Sequence, residues 1–308
     1  MVISGRVRIL IVGLTALLGG QQSALAADLG GSPSTVEERS ALRPFNQWVV
    51  TLTPYSWLPF LAGDQTIKGR TVEIDVDPIE VLERLSAIPW MSYAEARNGP
   101  LTLYNDIVYS KLGIAGSRAK SVSGLTVGAS VDGDIELAII ELGGAYQIFK
   151  WWSGGGGSVK DGDTFARSTA IDVLAGARYW HQDMAIKLAL TGGLDTDGLV
   201  LSGARAIARE GSVDWVDPLI GLRVRHQLAP GQELMLRGDV GGFDVGSQFS
   251  WNVTGAFSFD LAMRDGILWS GVLGYRALSV DYEKGSGSNK YEYDVLQHGP
   301  ILGMTAKF

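Results

Sequence analysis

Alternation of polar and apolar residues with period two runs through most of the chain, and it is cleanest over 248–261. Gln248, Ser250, Asn252, Thr254, Ala256, Ser258 and Asp260 take one parity; Phe249, Trp251, Val253, Gly255, Phe257, Phe259 and Leu261 take the other. Successive side chains of a strand point to opposite faces, so this segment has one polar and one apolar face. Two earlier stretches repeat the pattern. Glu233, Met235, Arg237, Asp239 and Gly241 oppose Leu234, Leu236, Gly238 and Val240. Asp217, Leu219, Gly221, Arg223, Arg225 and Gln227 oppose Pro218, Ile220, Leu222, Val224, His226 and Leu228. In a soluble sandwich the apolar face meets a second sheet. In a membrane barrel it meets lipid, and the polar face lines the lumen. One strand does not choose between these; mid-strand charges recurring opposite an aromatic and aliphatic face are what a barrel needs.

The alternation predicts ten strands: 46–60, 91–98, 101–113, 134–149, 164–190, 215–228, 232–243, 248–261, 267–282 and 291–308. A tilted spanning strand needs only ~9–11 residues, so 164–190 is too long. It either protrudes as a hairpin arm or turns at His181-Gln182-Asp183, which makes twelve strands; eight result if the short pairs fail. Bacterial single-chain barrels have an even number. Tight turns fall at Asn98-Gly99-Pro100, Ala229-Pro230-Gly231 and Arg264-Asp265-Gly266, with the glycine and proline chemistry such turns require. Longer connections are expected over 61–90, 114–133 and 191–211, and a shorter one over 284–289. Short turns at one end and long loops at the other predict an all-β fold, an antiparallel up-and-down transmembrane β-barrel.

The beginning of the chain adds a destination. Arg6 and Arg8 precede an apolar run over 9–18, and small residues lead to Ala24-Leu25-Ala26. This is the layout of a cleaved export signal over 1–26; the run is too short for a membrane helix. Residues 27–45 read as a flexible periplasmic lead, and 46–308 as the barrel. The formal charge is −7, and loss of Arg6 and Arg8 makes the remainder more acidic still, which argues against a nucleic-acid partner. With no cysteine there is neither a disulfide framework nor thiolate chemistry. Phe308 follows Leu302, Met304 and Ala306 on one parity, opposite Ile301, Gly303, Thr305 and Lys307. A terminal aromatic on the lipid face is similar to the signal read by the barrel-assembly machinery. Trp48, Trp57, Trp90, Trp151, Trp152, Trp180, Trp215, Trp251 and Trp269 fall mostly near strand ends, as interfacial girdles do.

Several short motifs carry a resemblance. They begin with Tyr55-Ser56-Trp57-Leu58-Pro59 and Gly63, then Glu95-Ala96-Arg97 and Asp106. Leu174 to Trp180, Asp214 to Pro218 and Gly238 to Phe243 follow. Gly274-Tyr275-Arg276, Asp281-Tyr282 and Gly299 to Gly303 complete the series. In this order, over nearly all of the chain from Trp48, it resembles a largely uncharacterised family of Gram-negative outer-membrane β-barrels near the small-barrel superfamily. The resemblance implies fold and location, with no substrate or catalytic residue.

Candidate chemistry lies in charges of inward parity. The cations are Arg97, Arg178, Arg223, Arg225, Arg237, Arg276 and Lys307; the acids are Glu95, Asp106, Glu141, Asp172 and Asp239. Either they pair into a ladder that fills a narrow lumen, or they line an aqueous pore. Barrels of about eight strands are filled by side chains while wide channels need ~16, so ten strands favour filling. Arg237, Asp239 and Arg276 share a parity in strands separated by 248–261, so direct pairing would need long side chains reaching across the lumen. Asp77, Pro78 and Glu80 form a helix start, with Ile79, Leu82 and Leu85 on one face: a lid on the rim or a gate into the lumen.

Other features read as bland. His181, His226 and His298 match no triad order. Asp64, Asp75 and Asp77 lack calcium-loop spacing, and the glycines over 154–157 lack a phosphate-loop ending. No catalytic residue, metal or cofactor is therefore expected, and the partners are outer-membrane lipids and the assembly machinery. The functional expectation is a structural or passive small-solute outer-membrane protein. The alternatives are a binding or adhesion surface carried by the outer loops and, third, a membrane enzyme.

Overall fold

A computed structural model describes residues 48–67, 69–122, 125–153, 167–196 and 199–308. The expected export signal, the lead over 27–45 and the glycines over 154–157 lie outside them. Among the described residues twelve strands and one α-helix follow in order: β1 (Val49–Trp57), β2 (Phe60–Ile67), β3 (Arg70–Val76), α1 (Pro78–Glu83), β4 (Trp90–Asn98), β5 (Leu101–Val122), β6 (Leu125–Ser153), β7 (Arg167–Thr196), β8 (Leu199–Ala229), β9 (Gln232–Gly242), β10 (Phe249–Arg264), β11 (Ile267–Lys284) and β12 (Tyr291–Lys307), with a 3-10 turn over Gly287–Asn289 before β12. Ten of them, β1 and β4 to β12, pair antiparallel in sequence order, and β12 returns to β1. The barrel is closed with ten strands, as the alternation predicts, and closure leaves no free sheet edge around it.

The first two staves are each split. β1 and β2 both pair with β12, through Trp57↔Ile301 and Phe60↔His298 in one continuous register. The break is Leu58-Pro59, where proline has no N–H to donate. Gly299 lies opposite because nothing larger fits: a Cβ there would sit 2.0 Å from the Leu58 carbonyl oxygen. On the other edge β4 pairs with β1 while β3 pairs with β2, and α1 fills the interval between β3 and β4. The region expected as a loop over 61–90 is thus a hairpin and a helix. Asp77 caps α1 by accepting from the N–H groups of Ile79 (2.8 Å) and Glu80 (2.9 Å). Val81 is buried, whereas Ile79 and Leu82 are exposed. The chain after α1 docks on the edge of β5 through Ser86 N–H to Lys111 O (2.9 Å) and Gly113 N–H to Arg84 O (2.6 Å). The chain that follows α1 is thereby joined to the wall at β5.

At one end the β4–β5, β8–β9 and β10–β11 hairpins turn tightly. Asp265 and Gly266 both have positive φ (52° and 80°), the signature of the hairpin turn whose twist matches its strands. At the other end β5 to β8 run on for 22, 29, 30 and 31 residues. β7 passes straight through His181 without turning, and the described residues of the stretches expected as loops over 114–133 and 191–211 are paired strand. Among the described residues β8 meets β9 only from Leu219 onward, and β5 pairs with β4 only as far as Tyr109. β5 to β8 therefore stand above the rim as a four-stranded sheet.

Outward positions carry the apolar residues. Leu52, Leu103, Leu142, Ile220, Leu222, Leu236, Val253, Leu273 and Leu302 are all exposed. Trp48, Phe149, Trp151, Trp152 and Phe308 flank them toward the tight-turn end, and Phe60, Trp90, Phe243 and Phe249 toward the other. The girdle expectation needs one correction: Trp57, Trp180 and Trp215 are buried inside the barrel. Their parity explains it. Trp180 shares the parity of Arg178, and Trp215 that of Asp217, so proximity to a strand end does not make a tryptophan interfacial. Phe308 is exposed, and its N–H reaches Val50 O at 2.8 Å on the β1 seam.

Candidate functional site

The inward faces of the staves meet in a charged cluster that occupies the barrel interior. Nearest the tight-turn end, Arg223 donates to Asp172 Oδ2 (2.8 Å) and to Glu95 Oε2 (2.6 Å). Arg225 grips the same Asp172 with two hydrogen bonds of 3.0 Å. Arg97 donates to Glu95 Oε1 (3.1 Å) and approaches Asp172 at 3.9 Å. Tyr93 donates to Glu95 Oε2 at 2.9 Å. A planar guanidinium suits this shared, forked pairing, which a lysine ammonium could not reproduce.

A second set lies further in. Arg178 donates from Nε and Nη2 to Glu141 Oε2 (3.1 and 2.9 Å) and from Nη2 to Asp239 Oδ1 (2.6 Å). Arg237 binds the same two carboxylates, Asp239 at 3.1 Å and Glu141. Asn252 on β10 then joins this set to Arg276 on β11. Its Nδ2 donates to Asp239 Oδ2 (2.9 Å), and its Oδ1 accepts from Arg276 Nε (3.0 Å). Arg276 completes its pairing on Asp106 Oδ2 (2.8 Å), whose other oxygen accepts from Tyr55 (2.7 Å). The coupling of Arg237, Asp239 and Arg276 therefore runs through an amide on the intervening strand. The two charged sets are tied by rings: the Arg237 guanidinium lies 4.8 Å from the Tyr104 centroid, and Tyr104 stacks on Tyr93 at 6.3 Å. Tyr104 has room because its neighbour is glycine. A Cβ on Gly143 would lie 2.4 Å from the Tyr104 ring.

Above the charges the interior becomes aromatic. The Arg276 guanidinium caps the Trp57 ring at 4.9 Å. Trp180 stacks on Trp215 (5.4 Å), and Trp215 on Tyr282 (4.1 Å); Leu278, Val280, Tyr293 and Val295 pack around them. Asp217 holds this layer by accepting from Trp180 Nε1 (3.2 Å) and from the Ser247 N–H (2.7 Å).

Geometry bears directly on lumen width. β4 and β8 are four places apart round the ten-strand circle, and so are β5 and β11. Yet Glu95 touches Arg223 and Asp106 touches Arg276 without any intermediary. Glu141, Asp172, Arg178 and Asp239 have side chains no more than 1% exposed. A barrel of this size can be filled by its own side chains. Six guanidinium groups face six carboxylates once Asp217, fully buried, is counted with the five acids singled out by parity. Asp217 was visible in the same alternation as Arg223 and Arg225; Tyr55, Tyr93, Tyr104 and Asn252 carried no signal beyond inward parity. Lys307 alone of the twelve charged candidates stays outside the network: it is exposed at the barrel end.

The three histidines have outward parity. Each bonds to a neighbouring strand: His226 Nδ1 to Thr169 Oγ1 (2.8 Å), His298 Nδ1 to the Tyr275 hydroxyl (2.6 Å) and His181 Nδ1 to Asp214 Oδ1 (2.7 Å). Among the described residues no cluster of three or more histidine, aspartate or glutamate side chains is arranged to hold a metal ion.

No family model matches the chain, and no curated protein matches it. Among solved structures it is similar to a FadL homologue of Pseudomonas aeruginosa, at 8% identity over 85% of this chain and 89% of that one, with a TM-score of 0.25. A second is an anion-selective porin from Comamonas acidovorans, at 9% identity over 85% and 100%, TM-score 0.22. A third is OccAB2 of Acinetobacter baumannii, at 8% identity over 85% and 98%, TM-score 0.23. Similarity this slight carries no assignment. The barrel rests on its own strand pairing.

Proposed function

We propose that the chain is an outer-membrane β-barrel protein with a sealed lumen, which serves as a structural platform rather than as an open diffusion pore. The apolar belt between two aromatic rims supports the membrane placement, because such a surface is what hydrocarbon requires of a closed barrel. The observation that carries the seal is the pair of cross-lumen contacts, Glu95–Arg223 at 2.6 Å and Asp106–Arg276 at 2.8 Å. An aqueous channel keeps such groups apart and hydrated. Single-channel recording on refolded protein tests this. A sealed barrel gives no steady conductance, whereas reproducible ohmic steps would make it a passive small-solute channel. The four-stranded sheet above the rim favours a second role, that of a surface which binds something outside the membrane.

A further inference from the structure

β3 pairs with β2 along one edge, and β5 keeps its ladder with β4 only from Leu101 to Tyr109. Among the described residues neither the second edge of β3 nor that edge of β5 from Ser110 onward pairs with another strand of the sheet. The chain between β3 and β4 does a different job there. After α1 it latches onto β5 through Ser86 N–H to Lys111 O (2.9 Å) and Gly113 N–H to Arg84 O (2.6 Å), which make Leu85 and Leu112 a single bridge pair.

This strap has unlike sides. Val81 is buried. Ile79 and Leu82, three residues apart and so on one side of α1, are 67% and 48% exposed, and Ile88 beyond the helix is 90% exposed. The charges take a different side, where Glu80 and Arg84, one turn apart, pair with each other. A lid in water turns its aliphatic side chains against the barrel; this strap leaves them outside. The chain then enters β4 at Trp90, which is exposed on the outer wall opposite Tyr109 and belongs to the aromatic rim.

We propose that residues 77–90 dock onto the bilayer leaflet at the long-strand end, with Ile79, Leu82 and Ile88 among the acyl chains, and that this contact holds the strap against β5. Two features choose lipid as the occupant. The first is continuity: Ile88 lies two residues from Trp90, and the exposed wall beyond it carries Leu101, Leu103 and Leu142, so the patch extends the apolar belt. The second is chemistry. A short segment with an aliphatic side and a charged side settles at a membrane interface, its apolar side in the acyl boundary and its charges among the headgroups. The barrel itself offers the strap one buried side chain and two backbone latches, and hydrocarbon covers what these leave exposed. The inference rests on the membrane placement proposed above.

The chain has no cysteine, so single cysteines can carry a nitrobenzoxadiazole label. Ile79→Cys and Ile88→Cys are compared with Leu222→Cys on the belt and Asp265→Cys at a tight turn, each refolded into phosphatidylcholine nanodiscs and checked by heat-modifiability. Lipid bearing a nitroxide along its acyl chain should quench the labels at 79, 88 and 222 and spare 265; aqueous iodide should do the reverse. Labels at 79 and 88 that follow 265 while 222 follows the lipid would overturn this inference alone. A label at 222 that lipid fails to quench would refute the membrane placement as well. Covalent dimers of Ile88→Cys formed on oxidation, with no lipid quenching at 88, would assign the patch to a second copy instead. Hydrogen exchange reads the latch through the Ser86 and Gly113 amides. Withdrawing one aliphatic side chain from hydrocarbon is worth on the order of tenfold in an equilibrium. The triple variant Ile79→Ser, Leu82→Ser, Ile88→Ser should therefore speed exchange of both amides about tenfold or more. The Leu58 amide, bonded to Pro300 O (3.1 Å) elsewhere in the wall, should exchange as in the parent. Unchanged exchange at Ser86 and Gly113 would overturn the claim that lipid holds the strap.

Discussion

Asp239 accepts from Arg178, Arg237 and Asn252, all buried in the barrel. Asp239→Ala leaves both guanidinium groups to share Glu141 and strips the Asn252 amide of its acceptor. Breaking a buried ion pair from one side costs ~3–5 kcal/mol, chiefly because the remaining charge has neither partner nor water. Arg276→Ala does comparable damage from the other end, leaving Asp106 with Tyr55 alone. The two lesions meet at Asn252, so their costs should not add; a coupling of ~0.5–3 kcal/mol is expected for residues in one network. Urea unfolding of refolded protein, followed by tryptophan fluorescence, reads all four corners of the cycle. Trp57 and Trp180 border the network and report its loss. Were the lumen water-filled, each pair would behave as an exposed one worth ~0–1 kcal/mol. Small additive losses in this cycle would refute the buried network.

Three further outcomes follow from particular contacts. Gly143→Ala puts a Cβ 2.4 Å from the Tyr104 ring and 2.7 Å from Ala175 O, so it should destabilise the barrel by ~1–3 kcal/mol in the same unfolding assay. Arg223→Ala should lower the urea midpoint strongly, whereas Lys307→Ala, at an exposed position outside the network, should change stability by no more than ~0.5 kcal/mol; equal effects would place Lys307 back among the paired charges. In vesicles of brominated phosphatidylcholine, Trp90→Phe should remove a quenched component of the fluorescence and Trp180→Phe an unquenched one, since Trp90 is 60% exposed on the outer wall and Trp180 is fully buried.

Much of this architecture is legible in the sequence because parity is local. Each stave writes its own inside and outside, and the charges of inward parity, except Lys307, enter the network. Parity gives a face, however, and not a height or a partner. Nothing along the chain says that Arg276 meets Asp106 from a strand four places away, or that Asn252 relays it to Asp239. Strand length is illegible for a related reason. Above the rim the chain alternates Ala, Gly and Ser with its aliphatics, as in 114–122 and 199–208, so the contrast between faces is weak and the stretch reads as loop. The split of the first stave at Leu58-Pro59 is written only as a proline, which by itself signals an end rather than a pause. Trp57, Trp180 and Trp215 were misread through position when their parity held the answer.

The proposed seal can be probed at one buried site. Ser250 has inward parity on β10, is 1% exposed, and makes no hydrogen bond through its hydroxyl. The chain has no cysteine, so Ser250→Cys introduces a single thiol by a near-isosteric change. Its rate of reaction with a charged, membrane-impermeant thiol reagent in refolded protein, set beside that of Lys307→Cys, measures whether water fills the barrel. A sealed lumen predicts that Cys at 250 reacts only as fast as the barrel opens, far more slowly than Cys at the exposed position 307. Comparable rates at the two positions would contradict it.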